Sequence, residues 1–470
     1  MVELSSRPDA AAAADEVERK AIARITPDAQ FVEQLAQVRD RLIAAVQSAA
    51  RSRGSPLIRC LVAGSGARGT FLNDRLDIDL FLLFPERLSK EDLETEGLAL
   101  GQAVLTEPET RYAEHPYLRG RFEGFTVDAV PGYAITDSSR PRSAVDRTPF
   151  HQEYLTARQS PAMITQVRLT KQFLRGLGVY GSESRTEGFS GYLVELLLLR
   201  FETLRALLRS AATWRVPTIL SNEAETPKRV PKDVALILAD PVDPNRNVAT
   251  ALSRRNLALF ILGAQEYLRH PTDAWFESQA PALLTLDEGR RRVSERGTHV
   301  CVIRLPRPAL VDDILFPQIR KAERALLEEA ERLGFQIVGS AHSAPPHEIL
   351  IALEATSPRL PAVKSQLGPP AGIDRVGNFL SKWGPADQKK LQGPYLLDDG
   401  RLAVEAHRSV REIEPALRQA IHGLPLGRDL KAVDPEEVWV RSLANLPATA
   451  PAEEVLTRLL DKRLPWIRAG

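Results

Sequence analysis

The chain has 470 residues, which is more than one hydrophobic core usually serves, so we expect about three or four domains. Hydrophobic residues make up 43% and charged residues 26%, as in an ordinary soluble globular protein, and no stretch approaches the ~20 apolar residues of a membrane-spanning helix. The formal net charge of +1 gives no overall attraction to nucleic acid. Any RNA binding must therefore come from local clusters of Arg and Lys.

The cysteines and the N-terminal stretch indicate the compartment. Cys60 and Cys301 lie far apart, with no Cys or His near either of them at metal-ligand spacing. This excludes a zinc cluster of neighbouring residues and fits a reducing environment. The Ala-rich, acidic stretch Pro8–Glu18 lacks the basic-then-apolar order of a secretory signal, and we interpret it as a solvated lead-in. We therefore predict a cytoplasmic protein without membrane contact.

The N-terminal third alternates helix and strand patterns. A helix is predicted where apolar residues recur at helical spacing, and strands where short apolar runs end at Gly or Pro. Ser89, with Asp92 three residues later, is a helix N-cap signal. In chain order, the predicted elements are a helix over 28–51, strands over 58–63 and 77–84, a helix ending near 105, and strands over 111–117 and 119–130 with a break at Gly124. They predict a small mixed sheet with helices on one side.

The remainder first becomes helical and then returns to a mixed pattern. Gly191–Leu208 is apolar on nearly every side, so this helix is predicted to be central. The other predicted elements are helices over 164–174 and 248–268, a strand over 300–305, a helix over 310–333, strands over 335–338 and 348–354, and short elements after Gly368-Pro369-Pro370. The fold class is therefore α+β, with several domains.

Asp77 and Asp79 carry the functional argument. Side chains two apart in a strand point to the same face, so Asp77, Asp79 and Phe81 share one face while the intervening residues fill the other. Two adjacent carboxylates repel each other unless a cation neutralises them. A hard divalent cation with oxygen ligands, above all Mg²⁺, is the natural partner. Such ions serve phosphoryl transfer.

Two further features fit this chemistry. Asp128 interrupts the alternating stretch 125–130, where Asp is a poor strand former, and would complete a site of three carboxylates. Upstream, Gly64, Ser65 and Arg68 belong to a glycine-rich turn between a strand and a helical turn. Glycines let backbone N–H groups approach phosphate oxygens, and Ser and Arg side chains can donate hydrogen bonds to them. The alternative is an exposed acidic edge strand beside an ordinary turn.

These motifs resemble the polymerase β-like nucleotidyltransferase superfamily, and more closely the archaeal-type (class I) CCA-adding enzymes, which are tRNA nucleotidyltransferases. The resembling stretches occur in family order: GSGARGTFLNDRLDIDLFLLFP (64–85), TPFHQEYL (148–155), RLTKQFLRGLGVYGSESRTEGFSGYLVELLL (168–198), DPVDPNRNVATALS (240–253), GPPAGIDRVGNFL (368–380) and GPYLLDDGRLAVEAHR (393–408).

The resemblance implies template-independent addition and repair of the 3′-terminal CCA of tRNA from CTP and ATP. It implies a nucleotidyltransferase head over 1–145, a helical neck over 146–275, an α/β body over 276–365, and a tail and C-terminal region contacting tRNA over 366–470. It assigns metal binding and catalysis to Asp77, Asp79 and Asp128. It assigns nucleotide contacts to Gly64, Ser65, Arg68, His151, Lys171, Tyr180 and Arg246. A homodimer is also implied.

RNA contacts and the alternative functions follow from weaker signals. The candidates for contacting the RNA backbone are Arg290, Arg291, Arg292, Arg296 and Lys382, and each could equally be a solvated charge. One alternative function is a poly(A) polymerase or an oligoadenylate synthase-like enzyme with the same head. The other is a catalytically silent RNA-binding homologue.

Overall fold

The computed structural model describes residues 8–73, 76–112, 116–221, 233–277, 282–384, 390–447 and 452–468. The chain divides into two compact units. Unit 1 comprises Met1–Ala280 and Leu464–Gly470, and unit 2 comprises Pro281–Arg463. Among the helices in the described ranges, none is long and apolar enough to cross a bilayer.

Unit 1 begins with a mixed sheet and its helices and continues with a helical region. Its helices are α1 (Pro8–Ile25), α2 (Ala29–Arg53), α3 (Gly64–Arg68), α4 (Lys90–Val104), α5 (Thr148–Thr156), α6 (Pro161–Gly176), α7 (Gly191–Phe201), α8 (Leu204–Ala211) and α9 (Arg254–Arg269). Its strands are β1 (Arg59–Ala63), β2 (Asp77–Phe84), β3 (Thr106–Tyr112), β4 (Pro116–Phe122), β5 (Phe125–Tyr133), β6 (Thr218–Ile219), β7 (Leu236–Ile237), β8 (Ala239–Asp240) and β9 (Asp243–Asn247).

The first five strands form one sheet in the order β1-β2-β5-β4-β3. Strands β2 and β5 are parallel, and the other neighbours are antiparallel. Ile78, Leu80 and Leu82 are buried against helices α2 and α4, in one core with Val127 and Ala129 of β5. Because side chains alternate along a strand, Asp77, Asp79 and Asp128 lie on the opposite face. The mixed sheet with helices on one side is confirmed.

The helical region has a core of its own, and α1 belongs to it. Val17, Ala21 and Ile25 of α1 pack into this core, and Tyr267 of α9 donates a hydrogen bond to Glu18. The interpretation of 8–18 as a solvated lead-in is therefore wrong, because Ala14, Val17 and Glu18 on one side of this helix are buried. The predicted helix Gly191–Leu208 is also divided, since Glu202 adopts φ +64° between α7 and α8.

Unit 2 contains two sheets. Its helices are α10 (Leu286–Arg296), α11 (Asp312–Leu333), α12 (Arg375–Lys382), α13 (Ile413–Ala420) and α14 (Ala452–Leu460), and its strands are β10 (His299–Pro306), β11 (Ile337–Ser343), β12 (Glu348–Ala355), β13 (Val363–Pro370), β14 (Lys390–Leu396), β15 (Arg401–His407) and β16 (Trp439–Ser442). The larger sheet has the order β11-β12-β10-β16 and is covered by α11 and α13 on one face and by α10 and α14 on the other. The smaller has the order β13-β15-β14. A last helix, α15 (Pro465–Arg468), belongs to unit 1.

The predicted α+β class is confirmed. The break predicted at Gly124 is confirmed, because Gly124 forms a tight turn with φ +86° between β4 and β5. With β3, the region predicted as two strands therefore contains parts of three. Ser89 caps α4 by accepting a hydrogen bond from the backbone N–H of Asp92, as its sequence signal predicts. The four-region division at 145, 275 and 365 stays a prediction.

Candidate active site

Three carboxylates meet on the face of the five-stranded sheet that lies opposite α2 and α4. Asp79 and Asp128 are register partners on the parallel strands β2 and β5, and Asp77 lies two residues before Asp79 on the same face. The side chain of Asp77 is 48% exposed and that of Asp128 is 13% exposed. The structure thus brings together the three aspartates that the sequence singles out.

Arg119 on β4 supplies the positive charge at this site. It is the register partner of Asp128 on the antiparallel strand β4. Its Nε donates to Asp128 Oδ1 at 2.7 Å, and its Nη2 donates to Asp128 Oδ2 at 2.7 Å and to Asp77 Oδ2 at 2.9 Å. The guanidinium therefore bridges two of the three carboxylates.

The third carboxylate, Asp79, faces the glycine-rich turn instead. A Cβ built on Gly64 would lie 2.2 Å from Asp79 Oδ2, and Gly64 has φ +71°, so only glycine fits there. Burial, followed by the repulsion of Asp128 and Asp77, raises the pKa of Asp79 to about 6. The positive charges of Arg68 and Arg119 lower this pKa but do not offset burial and the two neighbouring carboxylates.

The donor set fits a divalent cation. As the side chains stand, the described ranges contain no group of three or more His, Cys, Asp or Glu side chains arranged to hold a metal ion. Arg119 accounts for this at the sheet face, because its guanidinium occupies the position between Asp77 and Asp128. All three groups offer carboxylate oxygens, which hard divalent ions prefer. The raised pKa of Asp79 shows where added positive charge would be stabilised.

A buried network of charges lies behind the glycine-rich turn. Glu195 of α7, which is 1% exposed, accepts from Arg68 Nε at 2.7 Å and from the Thr70 hydroxyl at 2.8 Å. Lys171 of α6 is also 1% exposed, and its Nζ donates to the Thr70 carbonyl at 2.8 Å and lies 3.8 Å from Glu195 Oε1. Two of the predicted nucleotide contacts, Arg68 and Lys171, thus share one carboxylate.

This network carries more positive than negative charge. Arg168, 8% exposed, is a third cation beside Lys171, and its buried Nε makes no hydrogen bond within the described residues. Burial lowers the pKa of Lys171 to about 8 despite the attraction of Glu195. A Cβ on Gly191 would lie 3.4 Å from the Tyr180 hydroxyl and 3.6 Å from Lys171 Nζ, so these two groups converge at the start of α7. Such a surplus of cations suits a polyanion.

A second buried carboxylate, Asp240 at the end of β8, joins two other predicted residues. Its Oδ2 lies 2.8 Å from His151 Nε2 and accepts from Arg246 Nη1 at 2.6 Å. Its Oδ1 accepts from the Tyr192 hydroxyl at 2.9 Å and from the backbone N–H of Val242 at 3.1 Å. The imidazole of His151 also packs on the ring of Tyr192, with 4.1 Å between centroids. His151 and Arg246 thus belong to one cluster.

The residues predicted to contact RNA lie in unit 2, and most have partners within the protein. On α10, Arg290 donates to the carbonyl of Leu446 at 2.6 Å, and Arg296 donates to the fully buried Glu354 at 2.6 Å. Arg291 and Arg292 both donate to Glu288 at 2.9 Å. At the end of α12, Lys382 Nζ lies 5.6 Å from the centre of the Trp383 ring. Their role as RNA contacts stays a prediction.

Three family models match the chain along its length. Residues 45–151 match a nucleotidyltransferase domain, residues 165–277 match the second domain of tRNA nucleotidyltransferase, and residues 296–439 match the C-terminal domain of CCA-adding enzyme. The CCA-adding enzyme of Haloarcula marismortui is 36% identical over 435 residues, which cover 89% of this chain and 92% of that protein. The chain belongs to the CCA-adding enzyme family.

Other members of the family agree with this assignment. The CCA-adding enzyme of Archaeoglobus fulgidus is 36% identical over 78% of this chain and 82% of that protein, and that of Thermoplasma acidophilum is 32% identical over 88% and 91%. The resemblance read from the motifs is confirmed, and this CCA-adding family member is a nucleotidyltransferase.

Among solved structures, E. coli MS115-1 CdnC with ATP matches at 18% identity and a TM-score of 0.42, covering 56% of this chain and 94% of that chain.

Glu195, Asp240 and Arg119 are among the charged residues of the site that sequence reasoning missed. The sequence contained a signal for Glu195, because a lone carboxylate in the apolar helix α7 needs buried hydrogen-bond or ion-pair partners. Asp240 stands at the start of the stretch 240–253 that carries part of the family resemblance, but its partner His151 lies 89 residues away. Arg119 had no signal, since its position opposite Asp128 depends on strand register.

Glu195→Ala is predicted to destabilise unit 1. The substitution leaves Arg68 and Lys171 buried without their shared carboxylate, and removal of one partner from a buried ion pair costs about 3–5 kcal/mol. Urea unfolding followed by circular dichroism measures the loss. The control is Glu153→Ala, since Glu153 is 62% exposed and pairs with the exposed Arg59. Its cost should stay below about 1 kcal/mol. Equal losses of unfolding free energy in the two variants would contradict the stabilising role of Glu195 in this network.

Asp79→Asn is predicted to stabilise the metal-free protein in a pH-dependent way. Because the pKa of Asp79 is raised from 3.8 to about 6, its charge is penalised in the folded state. The penalty is absent below about pH 4, grows between about pH 4 and about pH 6, and stays at about 3 kcal/mol at higher pH. Melting temperatures measured with a chelator at pH 4 and pH 8 test this. A stabilisation of equal size at both pH values refutes the electrostatic cause.

Proposed function

We propose that this CCA-adding family member adds and repairs the 3′-terminal CCA of tRNA, using CTP and ATP without a nucleic-acid template. The observation that carries the proposal is the convergence of Asp77, Asp79 and Asp128 on one sheet face, opposite the turn at Gly64. The relatives match over most of the chain, and their shared name, CCA-adding enzyme, supports tRNA as the acceptor.

Asp77, Asp79 and Asp128 would hold divalent ions, with Mg²⁺ as the species we propose. When bound, the ions supply positive charge at the α-phosphate, the attacking hydroxyl and the leaving group. Asp128 helps to accept the proton of the RNA 3′-hydroxyl, whose oxygen attacks the α-phosphorus in line. The bond from the α-phosphorus to the oxygen bridging to the β-phosphate breaks, and pyrophosphate leaves. Arg119 must release the carboxylates that it bridges before they can take metal.

The nucleotide contacts are proposed within unit 1. Gly64, Ser65 and Arg68 surround the triphosphate at the turn between β1 and β2. Lys171 supports this turn from the buried side, because its Nζ donates a hydrogen bond to the Thr70 carbonyl. The remaining proposed contacts are Tyr180, which converges with Lys171 at Gly191, and His151 and Arg246, which surround the base.

Several wider features complete the proposal. The four regions divided at 145, 275 and 365 act as head, neck, body and tail. Arg290, Arg291, Arg292, Arg296 and Lys382 contact the RNA backbone. The enzyme works in the cytoplasm, where tRNA is processed, and forms a homodimer.

Supplying single nucleotides tests the proposed reaction. We expect tRNA lacking CCA to gain two cytidines when radiolabelled CTP is supplied alone, and tRNA ending in CC to gain one adenosine from ATP alone. Sequencing gels resolve products that differ by one nucleotide. Incorporation of AMP runs without CMP would favour a poly(A) polymerase-like activity and overturn the proposal.

Asp79→Ala is predicted to abolish nucleotide transfer and to leave tRNA binding largely intact. The substitution removes one of the three ligands of the proposed ions, but none of the proposed RNA contacts. Transfer is measured with radiolabelled CTP, and binding is measured by filter retention of tRNA. The matched control is Asp40→Ala, because the Asp40 side chain is 73% exposed on helix α2. Unchanged transfer in Asp79→Ala, or equal loss in both variants, contradicts the assigned role.

A further inference from the structure

Asp240 is the most completely buried carboxylate around the proposed base-binding residues. It is 0% exposed and receives hydrogen bonds from three side chains on separate elements: His151 on α5, Tyr192 on α7 and Arg246 on β9. A carboxylate buried so deeply costs stability unless its charge is compensated. The arrangement therefore calls for an explanation beyond the packing of the β8–β9 turn.

The two proposed nucleotide contacts bind the same oxygen of Asp240. His151 Nε2 and Arg246 Nη1 both lie within hydrogen-bond distance of Oδ2, at 2.8 and 2.6 Å. Their side chains are 15% and 38% exposed, so each is anchored at its inner end and accessible at the other. A guanidinium held at one nitrogen keeps the rest of its planar fork in a fixed orientation.

The charge state of Asp240 also orients His151. Burial alone would raise the pKa of Asp240, but the hydrogen bond and electrostatic attraction of His151, followed by hydrogen bonds from Val242 and Arg246, lower it to about 2. An ionised carboxylate only accepts hydrogen bonds, so the His151 Nε2 must carry a proton. The ring of Tyr192, which itself donates to Asp240 Oδ1, packs against the His151 ring at a tilt of 31° and holds it in place.

We infer that Asp240 is a positioning residue that holds Arg246 and His151 as one rigid pair and thereby selects the incoming base. This inference rests on the proposed function. Cytosine and adenine both present an amino group beside a ring nitrogen that accepts a hydrogen bond, whereas uracil and guanine present a carbonyl and an N–H. The guanidinium of Arg246, once held in place, offers N–H donors that match the ring-nitrogen acceptor of the first pattern and meet an N–H donor in the second. Loss of Asp240 leaves both side chains present but no longer fixed.

Asp240→Asn tests the inference with a side chain of the same shape. Its amide oxygen can still accept from Tyr192 and Val242, but its NH₂ group then faces the Arg246 donor. We expect the KM values for CTP and ATP to rise about tenfold to a hundredfold, as for the loss of a hydrogen bond to a charged group, while kcat changes less. We also expect UTP incorporation relative to CTP to increase. A purely structural role would not change this selectivity.

Asp243→Asn is the matched control. Asp243 is on the same turn, is 2% exposed and accepts from Arg147 Nε at 2.9 Å, but neither His151 nor Arg246 is among its partners. It should keep the wild-type KM values and selectivity. Tyr192→Phe is a second, milder variant, which removes one hydrogen bond to Asp240 and keeps the ring. Tyr192→Phe should raise both KM values less than Asp240→Asn does. It also keeps the inference testable if Asp240→Asn fails to fold.

The outcomes separate the inference from the proposed function. Wild-type KM values and selectivity in Asp240→Asn overturn the inference, as does an equal change in Asp243→Asn. If Asp240→Asn does not melt cooperatively, wild-type KM values in Tyr192→Phe overturn it instead. Failure of the wild-type enzyme to add cytidine or adenosine to tRNA overturns the proposed function itself.

Discussion

Two aspartates facing each other across a parallel strand pair require positive charge between or beside them. In this protein the register of β2 and β5 sets Asp79 next to Asp128, and Asp77 adds a third carboxylate to the same face. Arg119 compensates two of them, and Asp79 is left with a raised pKa. The site therefore has an excess of negative charge at Asp79, which a bound divalent ion would compensate.

Buried carboxylates organise the nucleotide side of the site as well. Glu195 connects Arg68 to the end of the glycine-rich turn through Thr70, and Asp240 connects His151 to Arg246. In each case a carboxylate that is at most 1% exposed fixes the position of a cationic side chain, Arg68 or Arg246. The protein thus orders its cationic side chains before any nucleotide arrives, which lowers the entropy cost of binding.

Sequence patterns predicted the features that depend on local periodicity. Alternation along β2 placed Asp77 and Asp79 on the face opposite Ile78 and Leu80, and the structure confirms it. What the patterns did not contain was the pairing of distant segments. Glu195 lies 127 residues from Arg68, and no spacing rule connects them. The break at Glu202 was also invisible, because the helix is interrupted there without Gly or Pro.

The hairpin of β4 and β5 has a consequence for how the chain assembles this face. Arg119 and Asp128 are only nine residues apart and pair across one tight turn, so the hairpin can close by itself soon after synthesis. Its partner β2 is separated from β5 by a helix and two strands, and this long loop must close before the parallel ladder can form. The counter-charge of Asp128 is thus encoded within the same hairpin, whereas its contact with Asp79 depends on closing the longer loop.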